Sequence, residues 1–222
     1  MTLELVLPSA LIPSAPPQTR GRSRLMIISK SRGSFTHWRF ADLVAFIGDE
    51  PLYLNNSRIR GTLSKGDDAR QPIYAEVEGG QASPCAGLDF TQEILADLKP
   101  VFLTLHPMDS GHWGESTPTS ESYSIPIPPE HPVIAGGTTV VRALETYART
   151  RKTYGMTDLY VKEPFEFKLT RGLLTKFHDP KDCHTKVVTA FLGRELMEEA
   201  FRKAIEQKYL FLTYGDAMLV LP

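Results

Sequence analysis

Short apolar runs alternate with amphipathic segments along most of the chain, and this alternation predicts a mixed α/β sheet. Leu25 to Ser29 and Val101 to His106 are apolar runs of strand length. Helical spacing of apolar side chains predicts helices at Phe90 to Leu98, with Asp89 as the N-cap, and at Glu195 to Lys208. The pattern therefore predicts a single α/β domain with a mixed sheet over residues 1–222.

The stretch Val133 to Glu145 joins a predicted strand to a predicted helix through two glycines. The strand stops at Gly136 and Gly137, and helical spacing begins after Thr138 and Thr139. The glycines allow positive φ and close approach to a ligand, and a threonine N-cap with free backbone N–H groups makes a polar, partly positive rim. This rim suits a carboxylate, a phosphate or a ribose. The alternative is an ordinary strand-to-helix connection, because the spacing matches neither the dinucleotide nor the P-loop pattern.

Charged and titratable side chains follow several of the predicted strands. Arg142 lies about one turn into the helix, where it is placed to add a forked donor set to the polar rim. His106 and His178 each follow an apolar run, and imidazole titrates near neutral pH. Asp216 follows Gly215 inside an apolar stretch, where an unpaired carboxylate would be costly. Each histidine has the alternative role of a structural hydrogen-bond donor.

Composition narrows the class of protein. Apolar residues make up 41% of the 222 residues, charged residues 23%, and the net charge is −1, which argues against the broad basic face of a tight nucleic-acid binder. Only Cys85 and Cys183 are present, which is typical of a reducing compartment rather than of a disulfide framework. No run is long enough to span a membrane. We therefore expect a cytoplasmic protein without a membrane span, whose oligomeric state the sequence leaves open.

A cluster of three residues raises the question of a metal. Cys183 and His184 follow closely after His178, and thiol and imidazole groups are common zinc ligands. Their spacing fits no common zinc pattern, so we expect no metal.

Seven segments match, in order, the motifs of one known family. The segments are Leu54 to Arg58, Ser83 to Thr91, Val101 to His106, Val133 to Glu145, Thr157 to Tyr160 with Phe165 to Phe167, Leu173 to Lys181, and Tyr209 to Leu219. By these segments the chain resembles the S-adenosylmethionine:tRNA ribosyltransferase-isomerase family of queuosine biosynthesis. Function must still be argued from the site, because one fold can carry several activities.

The resemblance implies an α/β catalytic domain with an inserted β-barrel domain, and a reaction that consumes S-adenosylmethionine. The ribosyl unit of that co-substrate moves onto a deazaguanine base in tRNA, adenine and methionine leave, and an epoxycyclopentane ring closes. Residues 61–72 form only a short polar link where the family has its barrel, so we expect a compact paralogue without the insertion. Two alternatives remain: an enzyme that uses S-adenosylmethionine on a small-molecule acceptor, and a non-catalytic paralogue that binds it.

The resemblance also implies roles for individual residues. Arg142 with the Thr138–Thr139 turn would hold the carboxylate of S-adenosylmethionine, Asp216 or Glu121 its ribose or positive charge, and an aromatic ring would stack on it. The expected catalytic residues are His178, His106 and Asp216. The expected substrate-binding residues are Gly136, Gly137, Thr138, Thr139, Arg142, Phe177, Tyr214, Gly215 and Glu121.

The chain departs from the family pattern at several positions. Lys176 stands where the family usually has Asn, Asp89 where it has His, and Asp179 where it has an apolar residue. Asp182 to His184 replaces a small-polar and leucine-rich run, and the loop Pro107 to Pro118 is also altered. We therefore expect the wall that holds the donor to be retained and the acceptor side to be changed.

Overall fold

The computed structural model describes residues 6–62, 69–108 and 118–222. These ranges contain eleven strands and five α-helices. The strands are β1 Arg24–Ser29, β2 Ser34–Arg39, β3 Leu52–Asn55, β4 Ser57–Ile59, β5 Val77–Gly80, β6 Val101–Leu105, β7 Glu121–Ser124, β8 Val133–Gly136, β9 Tyr154–Thr157, β10 Thr170–Lys176 and β11 Ala217–Leu221. The helices are α1 Leu43–Ile47, α2 Gln92–Leu98, α3 Thr138–Thr150, α4 Cys183–Leu192 and α5 Arg194–Glu206.

Nine of the described strands form one mixed sheet in the order β2-β1-β11-β10-β8-β3-β6-β7-β9. The central strands β10, β8, β3 and β6 run parallel to one another, whereas β11 is antiparallel to β10 and β7 is antiparallel to β6. The two remaining described strands, β4 and β5, pair with each other in a separate parallel ribbon. The predicted α/β domain with a mixed sheet is confirmed.

Both faces of the large sheet are buried, which is why its central strands are almost continuously apolar. Along β1, Met26 and Ile28 pack in one core cluster with side chains of α3, α4 and α5. Leu25 and Ile27 point the other way, into a second cluster with side chains of α1 and α2. The domain is therefore a sheet between two layers of helices.

The order of the strands places several loops at one edge of the sheet. Because β3, β6, β8 and β10 are parallel, the segments that follow them all emerge at the same side. Tyr214, which precedes the antiparallel strand β11, lies on that side as well. Ligands of α/β proteins usually bind outside the carboxyl ends of parallel strands, so this edge is the place to look for a site.

The prediction for the start of α2 is wrong in one detail. Thr91 is the N-cap, and its side chain accepts a hydrogen bond from the backbone N–H of Ile94 at 3.4 Å. Asp89 lies two residues earlier, is buried, and forms an ion pair with Lys176. The carboxylate that suggested a helix cap from the local sequence has a distant partner instead.

The polar link of residues 61–72 connects the ribbon strands β4 and β5. The structure describes residues 61, 62 and 69–72 of this link, and residues 63–68 lie outside the described ranges. Gln71 connects the link to β4 by hydrogen bonds. Its side-chain oxygen accepts from the backbone N–H of Ile59 at 2.7 Å, and its side-chain amide donates to the hydroxyl of Thr62 at 2.7 Å. The absence of the inserted barrel at this link stays a prediction. Among the described residues, no helix is both long and apolar enough to cross a membrane.

Candidate functional site

A cavity of about 390 Å³ opens at the carboxyl edge of the parallel strands. Five of the predicted site residues line it, namely Gly137, Thr138, Thr139, His178 and Tyr214. The volume lies within the range of about 300–1,000 Å³ that is typical of small-molecule sites. The structure thus brings together the glycine–threonine turn, one of the two predicted histidines and one of the two predicted aromatic rings.

The turn between β8 and α3 needs both of its glycines, for different reasons. Gly137 has φ 113° and ψ 153°, a backbone conformation that side chains with a Cβ rarely adopt. A Cβ on Gly136 would lie 2.3 Å from a side-chain carbon of Leu54, so this glycine allows two strands to pack closely and does not line the cavity. The predicted threonine N-cap is wrong: Gly137 is the N-cap of α3, and no side chain caps that helix start.

The two threonines of the turn are held in place by separate parts of the fold. Thr138 hydrogen-bonds through its hydroxyl to Nδ1 of His184 at 2.8 Å. The hydroxyl of Thr139 accepts from the side-chain amide of Asn55, at the end of β3, at 3.1 Å. The first turn of α3 is therefore fixed against the cavity, with its helix dipole directed at the space inside.

Two histidine rings face each other in the cavity wall. The ring centroids of His178 and His184 are 4.9 Å apart, with an interplanar angle of 34°. His178 is also hydrogen-bonded through Nε2 to the hydroxyl of Thr175 at 2.9 Å. Burial, followed by the charges of His184 and Lys176, lowers the pKa of His178 well below its usual value of 6.5. The surroundings of His178 therefore favour the neutral imidazole.

A buried ion pair joins Lys176 and Asp89, two positions at which the resemblance predicts a departure from the family pattern. Lys176 is 1% exposed, lines the cavity, and binds the carboxylate of Asp89. Its ammonium also donates to the backbone carbonyl of Gly215 at 2.6 Å, and Asp89 accepts from the hydroxyl of Ser23. Either buried charge would be costly without the other, so the presence of Lys176 and the presence of Asp89 are energetically coupled.

Arg142 and Glu121 form a second buried ion pair, outside the lining of the cavity. The guanidinium also donates to the backbone carbonyl of Leu159 at 3.0 Å and to that of Thr157 at 3.2 Å. Glu121 accepts in addition from the backbone N–H of Met108 at 2.9 Å. These contacts tie α3 to β7 and β9, so both residues help to hold the fold. Neither lines the cavity, and their expected ligand contacts stay a prediction.

Three further predicted residues lie in the core instead of in the lining of the cavity. Phe177 is 0% exposed and packs against other aromatic rings of the core, Phe201, Tyr209 and Phe211. Asp216 accepts from the backbone N–H groups of Arg24 at 2.7 Å and Leu210 at 2.8 Å, which explains how a carboxylate fits there. Burial raises its pKa. A Cβ on Gly215 would lie 2.5 Å from backbone atoms, so that position needs glycine for packing.

His106 lies at the end of β6, behind the cavity wall. Its Nδ1 shares a hydrogen bond with the hydroxyl of Ser57 at 2.9 Å, and its ring packs against Gly79. Burial, with a smaller effect from the charge of Arg60, lowers the pKa of His106. Its neighbour Pro107 lines the cavity, whereas His106 itself does not.

Sequence reasoning missed several polar residues of the lining, among them Asp179, Asp182 and His184. The available signal was the departure from the family pattern over these positions. Ligand-type atoms of Asp182, Cys183 and His184 lie within 4.8 Å of one another. Asp182 is engaged as the N-cap of α4, where it accepts from the backbone N–H of His184 at 3.1 Å, and Cys183 is 1% exposed and outside the lining. We therefore assign no metal to this cluster.

Comparison with known proteins places the chain in one family. Residues 2–69 and 103–220 match a family described as "Queuosine biosynthesis protein". The chain is 37% identical over 179 residues to the S-adenosylmethionine:tRNA ribosyltransferase-isomerase of Sulfurihydrogenibium sp., covering 71% of this chain and 53% of that protein. It is 38% identical over 194 residues to the protein of the same name from Nitratiruptor sp., covering 79% of this chain and 56% of the other. The chain thus spans about half the length of these curated relatives.

A solved structure agrees with the sequence relatives. The crystal structure of S-adenosylmethionine tRNA ribosyltransferase from Thermotoga maritima superposes with a TM-score of 0.73 and 26% sequence identity, covering 98% of this chain and 99% of that chain. The sequence motifs, the fold and the family match therefore all support membership of one family. The chain belongs to the queuosine biosynthesis protein family.

Proposed function

We propose that the chain binds S-adenosylmethionine in the 390 Å³ cavity and transfers and isomerises its ribosyl moiety. The observation that carries the proposal is the meeting of the Gly137–Thr139 turn with His178 at the carboxyl edge of the sheet. The relatives named above are called S-adenosylmethionine:tRNA ribosyltransferase-isomerases, which supports the same substrate.

The polar groups of the lining match the parts of S-adenosylmethionine. The uncapped first turn of α3, with Thr138 and Thr139, would receive the carboxylate, because backbone N–H groups and the helix dipole favour an anion there. Asp179 and Asp182 would face the sulfonium cation, and the ring of Tyr214 would stack on a flat or cationic group. We propose these residues as the ligand contacts in preference to Arg142, Glu121 and Phe177, which do not line the cavity.

The first chemical step needs a base. The sulfonium group acidifies the protons on the neighbouring carbon of the ribosyl unit, and a neutral imidazole within reach can remove one of them. His178 is in that state because burial disfavours its charged form. Asp216 and His106, the other predicted catalytic residues, would act only indirectly, since neither lines the cavity.

The acceptor is a separate question from the donor. The relatives' name implies a tRNA acceptor, and the family resemblance implies a deazaguanine base within it, which is our first candidate. A small-molecule acceptor is the second, because this chain spans only 53% and 56% of the two relatives and because the polar link of residues 61–72 lies between β4 and β5. We propose that this link stands in place of the inserted barrel domain.

Adenine release from S-adenosylmethionine tests the proposal. Purified protein is mixed with S-adenosylmethionine, with and without tRNA that carries the aminomethyl-deazaguanine base, and free adenine is followed by chromatography. Release only with the modified tRNA supports the first candidate. Equal release without RNA shows that tRNA is not the acceptor. Binding without adenine release in either arm would contradict an enzymatic role and leave a ligand-binding paralogue.

A further inference from the structure

Two imidazoles that face one cavity form an unusual feature of this site. His178 comes at the end of β10 and His184 from the first turn of α4, and both line the cavity. Their ring centroids are 4.9 Å apart, and each ring is hydrogen-bonded to a different threonine hydroxyl, Thr175 or Thr138. Both rings are therefore held in fixed positions against the same ligand space.

The charges around the pair favour unequal protonation. The cationic groups in the lining are Lys176 and Arg70, the acidic groups are Asp179 and Asp182, and the remaining titratable groups are Cys85 and Tyr214. A proton on one ring opposes a proton on the other, because like charges at this distance repel. Lys176 adds to the repulsion at His178, whereas the carboxylate of Asp182 caps the helix turn that carries His184. The surroundings of His178 therefore favour its neutral form.

We propose that His184 is the second acid–base group of the cavity and works as a pair with His178. The inference rests on the proposed function, and deepens it. In the step, the neutral ring of His178 takes a proton from the carbon beside the sulfonium. The electron pair of the broken C–H bond stays on that carbon as a sulfonium ylide. The bond between the anomeric carbon and the adenine nitrogen breaks with its electron pair going to that nitrogen, the anomeric carbon becomes an oxocarbenium ion, and the proton of the His184 imidazolium is delivered to the departing adenine. His178 gains one proton and His184 loses one, and proton exchange with solvent then restores the starting protonation state of both rings.

A purely structural role for His184 makes a different prediction. Its hydrogen bond to Thr138 links α4 to the turn before α3, and this link alone could account for the residue. His184→Asn keeps an amide group near the position of Nδ1, so it can preserve the hydrogen bond while removing the titrating ring. An acid–base role is lost in this variant, whereas a structural role survives. His131, which is exposed and outside the lining, provides the matched control His131→Asn.

The experiment has two readouts. The first is the pH profile of adenine release for the wild type, His184→Asn and His131→Asn. We expect His184→Asn to lower the rate by about 10²-fold or more and to remove the limb of the profile that requires a protonated group, with the control unchanged. The second is NMR titration of the histidine ring protons, which does not need turnover. The pKa of His178 is expected to rise in His184→Asn, because one repelling charge is gone.

The outcomes separate this inference from the proposed function. A wild-type protein that releases no adenine overturns the proposed function and the acid role of His184 with it. A wild-type protein that releases adenine, with a His184→Asn variant of the same rate and pH profile, overturns only the inference. An unchanged titration of His178 in a folded His184→Asn variant contradicts the pairing of the two rings, whatever the activity.

Discussion

Removing one charge of the buried Lys176–Asp89 pair should destabilise the protein strongly. Asp89→Asn removes the negative charge beside a 1%-exposed ammonium whose other hydrogen-bond partner is the carbonyl of Gly215, and Lys176→Met leaves a buried carboxylate that keeps the hydrogen bond from the hydroxyl of Ser23. Breaking a buried ion pair from one side costs about 3–5 kcal/mol. For a chain of this length, about 2–4 °C per kcal/mol gives a fall in the melting temperature of roughly 6–20 °C.

The double variant Lys176→Asn with Asp89→His decides whether the pair acts as a unit. It removes both formal charges and restores the residue types expected from the family pattern, so we expect it to lose less stability than either single variant. The assay is urea unfolding followed by circular dichroism, analysed as a double-mutant cycle with Lys176→Asn and Asp89→His as its single variants. The control is Glu50→Gln, which breaks the exposed Arg171–Glu50 pair and should cost about 1 kcal/mol or less. Additive losses, or single variants no more damaging than the control, would refute the reasoning.

Substitutions at Gly137, Arg142 and His178 test three other features of the structure. Gly137→Ala forces a Cβ into a backbone with φ 113°, and should cost about 1–3 kcal/mol in thermal unfolding; an unaffected melting temperature would mean that the turn relaxes freely. Arg142→Ala leaves the carboxylate of Glu121 buried without its guanidinium, so we expect a loss of about 3–5 kcal/mol in urea unfolding, and a stable variant would show that the pair is dispensable. The lowered pKa of His178 means that the unfolded chain takes up the proton first on acidification. Stability should therefore fall as the pH drops below 6.5, by up to about 1.4 kcal/mol per pH unit, and a His178→Asn variant with the same pH dependence as the wild type would contradict this.

The parts of the site that were predictable from sequence are local in the chain. The change from an apolar run to two glycines and a helix start lies within a few residues, and the structure shows it as β8, Gly137 and α3. His178 could be placed at the end of its strand for the same reason. Such features depend on backbone preferences and on the period of the apolar residues, both of which can be seen in a short window.

The parts that were missed depend on contacts between distant positions. Lys176 and Asp89 are 87 residues apart, and nothing near either residue indicates that they meet. Asp216 was expected to contact the ligand because the family resemblance implies it. The carboxylate also needs a partner inside an apolar run, and one of its partners is the backbone of Arg24, 192 residues away. Arg142 has the spacing of an anion ligand, but tertiary contacts direct its guanidinium to Glu121. Local patterns identify groups that need partners, whereas the fold determines which partners they find.

Calorimetric titration of S-adenosylmethionine into the protein tests the central claim most directly. We expect binding of one ligand per chain with a rise in melting temperature. Ala82→Trp, which places a large ring in the cavity wall, should abolish this binding, and Ala82→Ser, the control at the same position, should retain it. The account is contradicted by a folded wild-type protein that gives neither heat nor a thermal shift at millimolar ligand, or by a folded Ala82→Trp variant that binds as tightly as the wild type.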